Sequence, residues 1–322
     1  MDVPFFPSLY TTDHRKRELR ELLMRQINCA LEVCLSLECL NDLQLIFQYE
    51  TFIAHSHMNG DQSHQYWRTL GDVISSTFAL GYHENIESKG DTPPFLIQLR
   101  KTAFARIYSA DKNVALFLGR PLRMSKRFCY FQLPGSSSTT SLDSSAQPQR
   151  SPHEWDLAST INYTAETRWS ALCAFVKEDI MELLFDRNRA DYLQEVNTLQ
   201  AMADTYWDAL PSSFRLQSDI RLCPKRPVEL DFLINPSEAL IEIAQQMLHL
   251  VVEAVLWRDE LANSGTTLSW KIAHYGLPAA GIIILAALAR SKADSGSRIL
   301  GAQVLQDLIL LSAEPLESSN DS

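Results

Sequence analysis

Three histidines and an aspartate lie close together in the first quarter of the chain: His55, His57 and His64, with Asp61 between them. Three imidazoles and a carboxylate are the donor set of a tetrahedral zinc site. The residues joining them, Met58-Asn59-Gly60-Asp61, read as a turn between two helices. Imidazoles in such a polar loop are taken here as surface groups, and no metal ligand is assigned. Cys29, Cys34 and Cys39 are the other cluster with metal-binding chemistry. A step of five residues turns a helix by roughly 140° from one thiol to the next, so the three cannot converge. With Cys129, Cys173 and Cys223 they form no C-x-x-C pair. The reading is small buried fillers in a reducing compartment.

The sequence holds no G-x-S-x-G elbow, phosphate-binding G-x-x-x-x-G-K-[ST] loop, G-x-G-x-x-G turn or H-E-x-x-H helix. His83-Glu84 is followed by Asn85-Ile86-Glu87, so a zincin's second histidine is missing, and no D-D-x-x-D occurs. The chain is therefore read as non-enzymatic, with no catalytic residue, no metal and no cofactor. The alternative is a helical enzyme or accessory protein of a secondary-metabolite pathway. A deep pocket with convergent ionisable groups would mark that alternative.

The formal net charge is −10, which opposes direct contact with nucleic acid, because phosphate binding needs clustered Lys and Arg. The one dense basic run, His14-Arg15-Lys16-Arg17 with Arg20, is broken by Glu18 and reads as the solvated start of a helix. Met1 to Tyr10 holds two prolines and lacks a basic region followed by an apolar run, so no secretory signal is expected. The most apolar stretch, Ile282 to Ala289, is far shorter than the ~20 residues of a membrane span and reads as a core helix.

The elements that must position these groups are helices. Leu19 to Leu40 and Asn41 to Ala54 are the first two, the second opening on an Asn cap. Tyr66, Trp67, Leu70, Val73, Ile74, Thr77 and Phe78 recur at spacings of three and four and predict a third, stopped near Gly81. Pro93-Pro94 opens a fourth, whose apolar stripe is Leu96, Leu99, Ala103, Ile107, Ala110, Val114 and Leu118. Gly119-Arg120-Pro121 ends it. Helical patterns return over Tyr163 to Asn188 and Tyr192 to Leu210, from the Asn235-Pro236 cap towards Trp257, and over Leu277 to Arg290 and Arg298 to Leu311. Residues 135–152 are almost devoid of apolar groups, and with the tail 317–322 they read as disordered. The expected fold is all-α: one domain over 1–322, an array of antiparallel helices with one disordered insertion.

Against these elements stand Tyr66-Trp67, Leu70-Gly71, Leu80-Gly81-Tyr82-His83, Arg100-Lys101, Phe104, Tyr108, Asp111, Gly119-Arg120-Pro121 and Leu133-Pro134. In this order they resemble the regulatory domain, or middle homology region, of fungal-specific transcription factors. Trp270 and His274-Tyr275-Gly276-Leu277-Pro278-Ala279-Ala280-Gly281 are similar to a segment in one branch of that family. The chain departs from the pattern where an acidic residue is expected near Gln98, and where Ala103-Phe104 replaces a double Trp. The family's six-cysteine binuclear zinc cluster does not occur in these 322 residues.

The resemblance implies an all-helical transcription regulator in the nucleus, controlling metabolic or secondary-metabolite genes. Its implied partners are related regulators as homo- or heterodimers, the transcription machinery and a small-molecule effector. The structural motif it implies is Trp67, Gly71, Gly81, His83, Asp111, Gly119, Arg120, Pro121, Gly276, Pro278 and Gly281. DNA binding and zinc belong to the family's missing cluster and do not carry over to this chain.

Two expectations follow from the residues themselves. Asp111 lies on a mostly apolar helix and needs a partner if buried. Arg120 folds back to Asp111 or a neighbouring carbonyl, or both side chains face solvent. Trp67, Phe78, Phe104, Tyr108 and Phe117 either line an effector pocket between helices or pack as core.

Overall fold

The computed structural model describes residues 12–88, 92–135, 155, 162–185, 191–211, 214, 238–256 and 272–293. The chain is all-α, with eight helices and no strand among the described residues. It divides into two compact units, Met1–Leu216 and Gln217–Ser322, a division that the one-domain reading of the sequence does not contain. Residues 136–152, the tail 317–322, the Asn235-Pro236 cap, the Arg298 to Leu311 segment, Trp270 and Cys223 lie outside the described residues.

The first unit holds α1 (Asp13–Ser36), α2 (Asp42–Asn59), α3 (His64–Ala79), α4 (Pro94–Leu118), α5 (Tyr163–Phe185) and α6 (Tyr192–Ala209). Their ends follow local chemistry. Asn41 caps α2 by accepting the Gln44 N–H at 3.0 Å, and Ser63 caps α3 by accepting that of Tyr66 at 3.2 Å. Pro94 occupies the first turn of α4, where a missing N–H costs nothing. Gly119 ends α4 in the left-handed region at φ 61°, which L side chains enter at a cost. The first helix starts earlier than expected because Thr12 caps it through the Arg15 N–H, and it stops at Ser36.

The core of this unit is built where α2, α3 and α4 meet. Leu45, Phe52, Leu70, Val73, Phe104 and Tyr108 are its innermost members, with Phe52 stacked on Tyr66 at 4.4 Å between ring centres. Of the α3 stripe, Tyr66, Leu70, Val73, Ile74 and Thr77 are buried as the spacing predicts, while Trp67 and Phe78 are half-buried. The α4 stripe is only part of what α4 buries: Lys101, Phe104, Ala105, Tyr108, Asp111, Lys112 and Ala115 are also inside, while Leu99 is exposed. A second cluster, Ala105, Leu133, Ala171, Leu172 and Tyr206, continues the core from α4 through α5 to α6. α4 thus packs on several sides and is the central rod of the unit.

α1 packs on α2 and leaves Leu22, Leu23, Val33, Leu35 and the following Leu37 exposed. This corrects the reading of the cysteines as buried fillers. Cys29 and Cys39 are exposed, and Cys34, Cys129 and Cys173 are half-buried free thiols. Cys29 and Cys34 point to different sides of α1, which packs on α2, and Cys39 lies past the helix end at Ser36.

In the second unit α7 (Glu238–Leu256) packs against α8 (Leu277–Ala293) and the π-helical turn Ile272–Gly276 that precedes it. Pro278 is exposed in the first turn of α8, and Ala279 and Ala280 bury themselves against the α7 face of Ala244, Leu248, Val251 and Val252. The Gly-Leu-Pro-Ala-Ala-Gly run therefore starts a helix and supplies small contact residues. A Cβ at Gly281 would meet nothing, so packing does not explain that glycine. No described helix is long and apolar enough to cross a membrane.

Gly119→Ala places a Cβ in open space but in a left-handed conformation. It should lower the unfolding free energy by about 1–2 kcal/mol, read from the urea midpoint by circular dichroism.

Candidate functional site

The described residues converge on the segment that follows α4. Gly119 turns the chain, and Arg120 to Phe128 run back across α4 and α5. What holds that segment is a buried ionic cluster centred on Lys112. Its ammonium contacts Asp111 Oδ2 at 2.9 Å and Glu178 Oε2 at 3.1 Å, and donates to the Met124 carbonyl. Lys112 and Glu178 are completely buried and Asp111 nearly so.

Three ammonium protons thus meet three acceptors. Asp111 also accepts the backbone N–H of Arg123 at 3.2 Å and of Met124 at 3.1 Å. Glu178 accepts the Ser125 hydroxyl and the Lys126 N–H, each at 3.0 Å, and the Tyr108 hydroxyl. A buried charge is tolerable when paired and fully hydrogen-bonded, and each of these three is. Further out, Lys126 pairs with Asp179, and Arg127 with Glu182 at 2.8 Å, so an acidic edge of α5 grips the whole segment.

A second, half-buried contact locks the other ends of the helices. Arg100 holds Asp42 through two hydrogen bonds of 2.7 and 3.0 Å, and the buried Tyr82 hydroxyl donates to the same carboxylate. Arg100 holds the Asp42 carboxyl below the usual range against the opposing effect of burial, with Tyr82 adding to it. At Glu178, burial pushes the carboxyl up, but the hydrogen bonds and charge of Tyr108, Lys112 and the Lys126 N–H together hold it below its ordinary value. Burial and the bond to Glu178 push the Tyr108 phenol far up.

The anchored segment carries two arginines onto α3. The Arg123 guanidinium lies 3.7 Å from the centre of the Trp67 ring, and its Nη1 donates to the Trp67 carbonyl at 2.7 Å. Arg120 lies over the same ring at 4.9 Å. The Leu70-Gly71 pair is explained here, since a Cβ on Gly71 would stand 2.9 Å from Arg123 Nη1 and 3.2 Å from its Cζ. Beside them opens a cleft of about 480 Å³ lined by His64, Trp67, Arg68, Gly71, Asp72, Ile74, Ser75, Phe78 and Arg123.

The expected pairing of Arg120 with Asp111 is not what forms, and neither is the alternative with both facing solvent. Asp111 is buried, and its partners are Lys112 and two backbone amides. Arg120 turns to the indole instead, leaving its Nη1 buried with no acceptor among the described residues. The five aromatic residues separate as well. Trp67 and Phe78 line the cleft. Phe104 and Tyr108 are core, each against Phe131 at about 5 Å, and Phe117 is half-buried outside the cleft.

Gly81 follows α3 at φ 71°, and the His83 ring meets Phe78 edge-on at 5.2 Å. Pro121 is exposed. Gly276, Pro278 and Gly281 belong to the second unit.

The histidines do not converge. His55 is buried, with its ring nitrogens 3.1 Å from the Asn59 amide and 3.4 Å from that of Gln65, while His57 and His64 are exposed. Burial pushes the His55 imidazole down. Asp61 accepts from Ser56. Among the described residues no three His, Cys, Asp or Glu side chains are grouped to hold a metal ion.

Comparison with known proteins returns no family model, no characterised protein and no solved structure that matches the chain.

Two outcomes follow from the ionic contacts. Lys112→Met leaves two carboxylates buried without their cation and should cost about 3–5 kcal/mol in urea unfolding; adding Glu178→Gln should recover part of that loss. Acidification has one sign at three groups. A carboxyl with a depressed folded pKa contributes stability that is full above its unfolded value of about 4 and is lost as pH falls through the folded one. His55, also depressed, opposes protonation, so the fold weakens as pH drops below about 6.5. The urea midpoint should fall continuously on acidification from neutrality, and Asp42→Asn should flatten the lower part of that decline. A midpoint that rises on acidification would contradict the assignment.

Proposed function

We propose that this chain is the regulatory module of a fungal zinc-cluster-type transcription factor, acting in the nucleus on metabolic or secondary-metabolite genes. One observation supports the reading. Motif residues on which the resemblance rests, separated in sequence from Trp67 to Arg120, occupy one constellation: Trp67 under Arg120 and Arg123, Gly71 against Arg123, Asp111 holding the Arg123 amide, and Gly119 starting the segment. A pattern of residues with one shared physical purpose is what a domain signature looks like. A module of this kind works through surfaces and one ligand cleft, with related regulators and the transcription machinery as its partners. With a net charge of −10, sequence-specific DNA contact falls to another chain or segment.

Fusing the chain to an unrelated DNA-binding domain in a fungal host tests the proposal. The fusion should shift output from a reporter carrying the matching operator, in either direction, and Lys112→Met should return it to the level of the DNA-binding domain alone. Unchanged output from a fusion that accumulates in the nucleus and resists proteolysis would overturn the reading.

A further inference from the structure

The cleft on α3 has an unusual balance of charge. Arg68 and Arg123 line it, Arg120 crowds the same indole, and Asp72 is the one acidic side chain in its wall. Asp72 meets Arg68 only at 4.0 Å, and both side chains are largely exposed, so it neutralises little.

The donors are also under-used. Arg123 spends Nη1 on the Trp67 carbonyl, and its Nε and Nη2 donate to no described protein group. Arg120 Nη1 is buried without an acceptor. Two like charges stacked on one ring and partly out of water are a costly arrangement for packing alone: Asp111 and Asp72 favour the Arg123 cation without an ion pair to its guanidinium, and burial outweighs them.

The same cleft has an apolar wall in Trp67, Ile74 and Phe78, and its volume of about 480 Å³ lies inside the usual range of about 300–1,000 Å³ for small-molecule sites. Its cation is also held in place from behind. The Arg123 amide is tied to Asp111, which is tied to Lys112 and Glu178, while Gly71 leaves room for the guanidinium to lie flat. A fixed fork loses little freedom on binding a planar acid group.

We propose that this cleft binds a small organic anion, its acid group held by Arg123 with Arg68 and its apolar body laid along Trp67 and Phe78. Guanidinium forks match carboxylate and phosphate oxygens in pairs, and aromatic faces suit a flat or aliphatic body. A cation is disfavoured by three arginines, and a bare inorganic anion leaves the apolar wall unused. The inference deepens the regulatory reading by naming the chemistry of an effector, yet it is tested apart from it. Binding to the purified chain can fail while the reporter responds, and the reverse.

The experiment uses the full chain and three probes: 2-naphthoate, its neutral isostere 2-naphthamide, and inorganic phosphate, each titrated calorimetrically. Saturable binding of 2-naphthoate is expected, with 2-naphthamide weaker by roughly tenfold or more, the worth of one charge-assisted contact. Phosphate should be weaker than 2-naphthoate. Arg123→Gln should weaken 2-naphthoate by a similar factor.

Two exposed positions give variants that leave the fold alone: Arg68→Gln should weaken binding and Asp72→Asn should strengthen it, each by about twofold to fivefold. Equal affinity for the acid and the amide overturns the anion assignment. Phosphate binding as tightly as 2-naphthoate overturns the apolar half. Absence of saturable 2-naphthoate binding, or indifference to both Arg68→Gln and Asp72→Asn, overturns the site.

Discussion

Everything around the candidate site depends on one buried ammonium. Lys112 has three protons to give and three acceptors to receive them, one on its own helix, one on α5 and one on the returning backbone at Met124. The two carboxylates are themselves filled by further donors, Asp111 by the Arg123 and Met124 amides and Glu178 by Tyr108, Ser125 and Lys126. The arrangement stabilises by necessity rather than by surplus: the pair energies roughly offset the desolvation, but loss of any member strands the others. Its structural product is registry. A segment with no regular secondary structure apart from one short turn is fixed against two helices at atomic resolution, and the arginines it carries arrive over Trp67 in one geometry.

Much of the helical framework was legible in the residues. Asn41, Pro94 and Gly119 mark helix ends by mechanisms that act within a few residues, and the structure uses all three as the sequence implies. The α3 stripe was legible because α3 buries one face. The α4 stripe was read incompletely because α4 is packed on several sides, so no single periodicity describes it. Cys29 of α1 failed for the opposite reason: apolar composition implied burial, but among the described helices α1 packs mainly on α2.

The site was half legible. Asp111 was singled out correctly as a group in need of a partner, and the partner was misplaced. Residues adjacent on a helix do not normally face each other, so Lys112 is the last neighbour that spacing would suggest. It meets Asp111 only because its long stem bends to a point set by Glu178, which lies beyond the weakly apolar stretch 136–152 and is invisible to any local pattern. Arg123 carries no motif of its own, and the signal that could have found it is Gly71, a helical glycine whose missing side chain implies that something lies against it.

The bond from Tyr108 to Glu178 spans 70 positions of sequence. The elements that shape the cleft wall, α3 and the segment after Gly119, are all made before α5 is. Until α5 docks, Lys112 has one carboxylate instead of two, and the segment lacks the acidic edge that grips it. The walls of the cleft are local, but the contacts that hold its arginine segment are long-range in sequence. A nascent or proteolysed chain ending before α5 would contain every residue that lines the cleft and still lack the cleft.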